Sequence, residues 1–463
     1  MLSEPHTMHI DNLVLAAAVK PTRHKPAPRW LPIAALCAGL VFGGASQAAD
    51  FGPFTLNAFV KVEAVRTSNA CPDCQVAPGV GKDFKWGDTI AAGKSYGNED
   101  SHVVLFQPWL GVKFDLGGGY KLSGLVSRRW RDGKEDIPGF WYDKNIALSH
   151  EDYGRVAIGS MTTRSWSLAD YPYGSKIGVS DAWASSGAGY GLLGQAVRVT
   201  TRPLDVFDGN LVLEATYDSG NPRFKIHKPQ FIELYAQYHR GPLVIDAMYQ
   251  DSRNGGPAAW GHGPFSALFY DASADALLGQ SGQSMAMLMA RYQLNVNVEL
   301  LAGVRRNRWS GAHAVVVQPN ARGDLWNFPF NVNWGGALVY ANADGTSYVV
   351  NNPGYAATSV DYSGGLVYRT GKWTAHTGFA YLGKANTQNP SERGQSNAAL
   401  INTVGLNYDF GRGLQVYGLA GMVNYKRLGL SPMSMPGNAS FTNVDSRVST
   451  KGHWIGVGAV YVF

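Results

Sequence analysis

No stretch of this 463-residue chain is apolar for long enough to cross a bilayer as a helix, which takes about 20 mostly apolar residues. The longest candidate, Trp30 to Gly44, falls short, so a bundle of membrane helices is excluded. Charge is also sparse. Asp, Glu, Lys and Arg make up 16% of the residues, and the formal excess of +6 forms no basic run or stripe, which argues against a nucleic-acid partner. Cysteine is scarcer still, at three residues in the whole chain, which excludes a disulfide-dense scaffold. Glycine (56), Tyr (23), Phe (19) and Trp (13) are plentiful by contrast.

Lys20, Arg23, Lys25 and Arg29 precede the short apolar segment, and Ala45-Ser46-Gln47-Ala48-Ala49 follows it. A basic region, a short apolar region and small residues at its exit are the order of a secretory signal. The chain therefore divides into a signal peptide over 1–49, with a start placed early, and a single β-barrel domain over 50–463. Leu36 is too bulky before Cys37 for a lipoprotein cleavage site, which argues against lipidation. Cleavage after Ala48 or Ala49 removes those four bases and the acids Glu4 and Asp11, taking the formal charge from +6 to +4. Cys71 and Cys74 remain, spaced Cys-Pro-Asp-Cys. In an exported chain this pair reads as a small disulfide pinning a loop. No His or second cysteine pair lies nearby to favour a metal or redox site.

Beyond residue 50, apolar residues alternate with polar or small ones, the period of a strand with two unlike faces. Phe54, Leu56, Ala58, Val60, Val62 and Ala64 share one face of the first such segment, and Thr55, Asn57, Lys61 and Glu63 share the other. In the last, Ile455, Val457, Ala459, Tyr461 and Phe463 oppose Trp454, Gly456 and Gly458. Sixteen segments follow the pattern: 54–66, 102–115, 119–131, 140–150, 153–160, 194–202, 209–218, 229–239, 242–251, 284–294, 296–307, 357–369, 372–383, 397–410, 413–425 and 452–463. Tight turns at 116–118, 151–152, 240–241, 295, 370–371 and 411–412 alternate with long polar, Gly-rich connections at 67–101, 161–193, 252–283, 308–356 and 426–451.

A meander with tight turns at one end and long loops at the other predicts an all-β, transmembrane antiparallel barrel with periplasmic turns and extracellular loops. A soluble β-sandwich also alternates, but it hides its apolar face in a packed core. Tyr217, Tyr238, Tyr249, Tyr292, Tyr368, Tyr381, Tyr408 and Tyr461 lie near strand ends in the apolar register, as interfacial girdles do. The opposite faces carry Lys61, Glu63, Lys113, Arg129, Arg131, Glu214, Glu233, Asp246, Arg291, Glu299, Arg305 and Asp361, too many charges for a dry core. A closed ring of 16 to 18 strands leaves an aqueous channel.

At this point the residues resemble the trimeric general porins of Gram-negative bacteria, in particular the beta-proteobacterial type, over the chain from about residue 50 onward. The resemblance rests on the opening Phe54-Thr55-Leu56-Asn57-Ala58-Phe59 and on Tyr153-Gly154-Arg155-Val156-Ala157-Ile158-Gly159-Ser160 before a long third loop. It also rests on the sixteen segments and on the terminal Val460-Tyr461-Val462-Phe463. It implies a homotrimer in the outer membrane, in contact with lipid and lipopolysaccharide, whose Phe463 is read by the barrel-assembly machinery. It implies a third loop, Met161 to Leu193, folded into the pore, with Arg164, Asp170, Lys176 and Asp181 facing a basic wall. Candidates for that wall are Lys61, Lys113, Arg129, Arg131 and Arg198, whereas Arg128 and Arg306 fall in the outward register.

The function expected is passive diffusion of small hydrophilic solutes and ions through a water-filled channel, with a slight anion preference. The alternatives are a channel selective for sugars or organic anions, and a barrel whose long loops make it an adhesin or surface enzyme. No catalytic residue, metal or cofactor is expected: a His-Glu-x-x-His zinc motif and a P-loop are both missing from the sequence. His239 and His376 fall in the inward register without a placed nucleophile. Met285, Met287 and Met289 share the inward face of one segment, where packing is the expected role.

Overall fold

The computed structural model describes residues 49–70, 97–137, 139–165, 191–220, 229–254, 265, 282–310, 336–341, 347–352, 356–388, 393–428, 432 and 449–463. Sixteen of its strands are the staves of one closed antiparallel barrel. The first four are β1 Phe54–Ala70, β2 Gly97–Gly117, β3 Tyr120–Ser127 and β4 Asp143–His150. Next come β5 Gly154–Thr162, β6 Leu192–Thr200, β7 Gly209–Asp218 and β8 Gln230–Arg240. They are followed by β9 Leu243–Arg253, β10 Gly282–Gln293, β11 Val298–Ser310 and β12 Ala357–Thr370. The ring ends with β13 Trp373–Leu382, β14 Ala399–Gly411, β15 Leu414–Tyr425 and β16 Lys451–Val462.

Each stave pairs with the next. The ring closes because β16 pairs with β1, with Glu63 opposite Gly458. Phe463 completes that seam: Ala58 N–H donates to its carbonyl at 2.9 Å, and its own N–H donates to the Ala58 carbonyl at 3.0 Å. Closure leaves no unpaired sheet edge, which a bilayer requires.

Alternation sorts the two faces as the sequence predicts. On β8, Ile232 and Leu234 are exposed on the outside while Glu233 and Tyr235 are buried on the inside. Outward apolar side chains such as Ile146, Ile158, Val199, Leu288, Val404 and Ile455 stay exposed around the ring. They make the continuous apolar belt that lipid covers. Aromatic rings border it at both levels. On β12 and β13, Tyr362 and Phe379 sit six residues from Tyr368 and Trp373 respectively, and all four are exposed. Six residues span roughly 20 Å of strand, close to the height of an outer-membrane apolar band. The Trp373 ring packs edge-on to Tyr408 at 4.7 Å, and Tyr408 meets Phe410 at the same distance.

Glycine shapes the inside of the seam. Gly421 faces Trp454, and Gly458 faces Tyr417, in the β15–β16 register. A Cβ on either glycine would overlap the opposing ring, so each aromatic lies flat against the wall where a side chain is missing. At the turn between β14 and β15, Gly413 has φ +81°, which L side chains rarely adopt.

The structure departs from the expected boundaries in three places. The third expected segment, 119–131, parts from β4 after Ser127 but stays on β2, with Trp130 and Arg131 opposite Phe106 and Leu105 in unchanged register. On its other edge Trp130–Arg131 forms a short hairpin with Lys134–Glu135, turning at Asp132 and Gly133, which both have positive φ. The connection expected between residues 308 and 356 holds a two-stranded hairpin of its own, Gly336–Ala341 with Ser347–Asn352. Leu204–Val206 folds back on Leu211 to Gly209, a tight turn the sequence reading did not single out.

Candidate functional site

The register lines up inward-facing polar residues in rows that run around the barrel. One row reads Arg155, Thr200, Glu214, Tyr235, Met248, Met287, Arg305 and Asp361 across β5 to β12. The row above it, toward the long connections, contains Ala157, Arg198, Thr216, Glu233, Gln250, Met285, Asn307 and Ser359. Two-residue periodicity puts these side chains on the face opposite Val156, Val199, Leu213 and Leu234.

Where these rows pass under the third long connection, its first residues turn inward. Arg164 and Ser165, just after β5, are helical. The Arg164 guanidinium donates through Nε and an Nη to the two carboxylate oxygens of Glu214, at 2.6 and 2.5 Å. Its backbone N–H donates to Glu233 Oε1 at 2.7 Å. The Glu214 carboxylate also accepts from Thr200 Oγ1 at 2.7 Å and lies 3.1 Å from Arg198 Nε. Glu233 accepts from Gln250 Nε2 at 2.9 Å, and the same nitrogen donates to Ser165 Oγ at 3.2 Å. Arg198 reaches back to the Thr162 carbonyl at 2.7 Å. The root of the third connection is thus bound to β6, β7, β8 and β9 by charged and polar groups. Bidentate Arg–carboxylate pairs are among the strongest such contacts and fix orientation as well as distance.

A second network holds the connection between β13 and β14. Asp361 on β12 accepts from Arg305 at 2.8 Å, from Asn307 at 2.7 Å, and from the backbone N–H of Gly383 just beyond β13 at 2.9 Å. A third lies beside the seam, where Lys61 Nζ is 3.3 Å from Glu63, and Tyr417 OH donates to Glu63 at 2.6 Å.

The wall candidates fall into three settings. Arg198 stands at the root of the third connection, and Lys61 is paired with Glu63. Lys113 is inward by register, opposite Ser123, and is exposed near the tight turns. Arg129 and Arg131 lie beyond the end of β3, between β3 and β4, where Arg131 still pairs with Leu105 of β2 and turns into the hairpin with Lys134. There both approach Asp136, at 3.2 and 2.9 Å, and Tyr142 OH donates to the same carboxylate at 2.8 Å. Burial alone would push the Asp136 carboxyl up. The Arg131 and Arg129 charges, with hydrogen bonds from Tyr142 and Arg131, outweigh burial and hold it below the usual carboxylate range. Arg128 pairs with Glu135 and stacks over the Trp141 ring at 4.3 Å, while Arg306 is outward and exposed.

Asp170, Lys176 and Asp181 of the third loop, and the Cys71 and Cys74 pair, lie outside the described residues, as do residues 1–48 of the expected signal. Two residues that the sequence reading left out belong to the interior. Arg155 is inward and exposed, and Gln250 joins Glu233 to Ser165. Parity alone would have found Arg155, which alternates with Val156 and Ile158. One motif also went unnoticed: residues 93–97 read Gly-Lys-Ser-Tyr-Gly, the spacing of a hydrolase nucleophile elbow. An elbow joins a strand to a helix, whereas Gly97 here begins the stave β2. Among the described residues there is no group of three His, Cys, Asp or Glu able to hold a metal.

A closed sixteen-stave ring with an apolar belt outside and ion-paired charges inside defines the class: an outer-membrane-type β-barrel of the porin fold. No protein-family model matches the sequence, and no curated protein matches it either. Solved structures do. The chain is similar to the anion-selective porin from Comamonas acidovorans, with a TM-score of 0.51 and 14% identity over 89% of this chain and 99% of that one. It is similar to OmpT, an outer membrane protein of Vibrio cholerae, with a TM-score of 0.51 and 13% identity over 90% of this chain and 100% of that one. Salmonella typhi OmpF, solved with daunomycin, gives the same TM-score, identity and shares. At these identities the likeness establishes the fold.

Proposed function

We propose that this chain is an outer-membrane porin, a water-filled channel for passive diffusion of small hydrophilic solutes and ions, and not an enzyme. The observation that carries the reading is the inversion of faces around one closed ring. Exposed Leu, Ile and Val are outside, while Glu63, Glu214, Glu233, Arg305 and Asp361 are inside. A water-soluble barrel would need the reverse, and sixteen staves enclose more space than wall side chains fill. The expected Met161 to Leu193 loop entering the lumen is supported by Arg164, which is already bound to wall carboxylates at its first turn.

On this reading residues 1–49 direct export, the tight turns face the periplasm and the long connections face outward. The barrel works as a homotrimer embedded in lipid and lipopolysaccharide, and Phe463 is the assembly signal. The inward residues nearest the tight turns include Lys113, Lys121, Arg155, Arg291 and Arg369 against Asp115, Glu299 and Asp409, with Arg369 paired to Glu299 at 2.7 Å. This surplus of base favours a slight anion preference. The test is purified protein in planar bilayers and liposomes. Stepwise conductance, with swelling rates that fall smoothly with solute size, is the expected result. Saturating uptake of one solute would instead assign a selective channel, and absence of conductance steps would end the porin reading.

A further inference from the structure

The inward face of β9 and β10 carries four thioethers in adjacent places. Met248 lies directly opposite Met287, and Met285 and Met289 flank Met287 on the same face of β10. All four are buried. On the β11 side Met289 faces Gly303, where a Cβ would come within 3.3 Å of the Met289 Cγ, so the glycine leaves that side chain room against the wall. Met287 faces Arg305 there, and Arg305 is already engaged with Asp361.

Asp246 stands opposite Met289 and is 2% exposed. Its Oδ1 accepts from Tyr235 OH at 2.6 Å and from Gln237 Nε2 at 2.8 Å, both neutral donors. Among the described residues no Lys or Arg forms an ion pair with this carboxylate, in contrast to Glu63, Glu214, Glu299 and Asp361 on the same inner surface. Arg291, the next inward residue of β10 after Met289, lies opposite Val244 and Leu301, which sets it diagonal to Asp246 on the same inner face. A buried carboxylate whose hydrogen-bond donors are all neutral is costly to keep ionised, and a bound cation would lower that cost.

We propose that Met248, Met285, Met287 and Met289, with Asp246, form a lumen-facing site for a soft monovalent cation, Cu(I) or Ag(I). Directly opposed side chains on neighbouring strands have Cβ atoms about 5 Å apart, and diagonal ones about 7 Å. Methionine has three flexible torsions, so several sulfurs at such positions can converge on one ion. Thioethers are soft neutral donors that select Cu(I) and its chemical analogue Ag(I), and one carboxylate balances the single charge. Calcium and magnesium need about six oxygen ligands, which one carboxylate and a phenol do not supply. Gap filling would account for the methionines but not for a buried acid bonded to neutral donors beside them.

The test uses the folded barrel in detergent with Cys71 and Cys74 changed to Ser, so that thiols cannot compete. Silver nitrate is titrated by calorimetry in chloride-free buffer. In parallel, the methionine ε-methyl resonances are followed in protein labelled with ¹³C-methyl methionine. The expected result is one Ag(I) bound per chain, with the resonances of Met248, Met285, Met287 and Met289 shifting and those of Met161 and Met422 unmoved. Met248→Leu with Met287→Leu, which keeps side-chain volume, abolishes binding, and Asp246→Asn weakens it about tenfold. Absence of silver uptake, uptake undiminished in the Leu pair, or four unmoved methyl resonances would each overturn the proposal. If the Leu pair fails to fold, the methyl shifts in the parent decide alone. The site needs only the closed barrel, so this result stands apart from whether the channel conducts.

Discussion

Arg164 and Glu214, 50 positions apart in the chain, meet in a bidentate ion pair inside the barrel, with both guanidinium-to-carboxylate distances at or below 2.6 Å. One partner begins the third long connection and the other belongs to the stave β7. Their pairing sets where that connection starts its path relative to the lumen.

Glu214→Gln removes one charge and leaves Arg164 and Arg198 sharing Glu233. Breaking a buried pair by losing one partner costs about 3 to 5 kcal/mol locally. The expected outcome is a barrel that still forms, with a noisier open channel that closes at lower applied voltage. Single-channel recording against the parent checks this, and identical traces would show that the pair does not restrain the connection.

Selectivity is expected to follow the exposed inward bases near the tight turns. Lys113→Glu with Arg155→Glu changes the local charge by four units and should turn the slight anion preference into a cation preference. The reversal potential in a salt gradient reads the sign directly. Lys61→Gln, whose charge already faces Glu63, should shift it less.

At the seam, Gly421→Val and Gly458→Val place a side chain where the Trp454 and Tyr417 rings lie. Overpacking of this kind costs about 1 to 3 kcal/mol. The temperature at which the folded band is lost on unboiled gels should fall for both. Gly418→Ala is the control, since its Cβ would meet nothing closer than the Gly456 carbonyl at 3.9 Å.

Asp136 makes the second connection acid-sensitive. Its folded pKa lies below the unfolded value of about 3.9, so its stabilisation is complete above that value and is lost as pH falls through the folded pKa. Asp136→Asn should reproduce the loss at neutral pH, at about 1 to 3 kcal/mol. Trypsin would then cut after Arg129 and Arg131 at pH 7 in the variant while sparing the parent. Equal resistance would mean that the hairpin is held by other contacts.

The staves were legible because lipid and water impose opposite demands on alternate residues, and a period of two is visible in a single sequence. All sixteen expected segments coincide with staves, and His239 and His376 fall inward as parity predicts. The hairpin between β3 and β4 was not legible because Arg128 to Arg131 continue the alternation of β3, and Trp130–Arg131 keeps pairing with β2 while its other edge turns from β4 to Lys134–Glu135. Asp136 and Glu135, which draw those arginines into a hairpin, lie beyond the window in which periodicity is read. The small hairpin between Gly336 and Asn352 was hidden for another reason: its strands are six residues each, too short for a period to stand out.

The sequence by itself determined which face of every stave meets lipid, how many staves there are and which ends carry tight turns, because each depends on residues near one another in the chain. Only the tertiary structure decided which inward charge meets which. Closure brings β1 beside β16, so Glu63 reaches Tyr417 across 354 positions. Pairing across a barrel depends on register around the whole ring, and no local pattern encodes that.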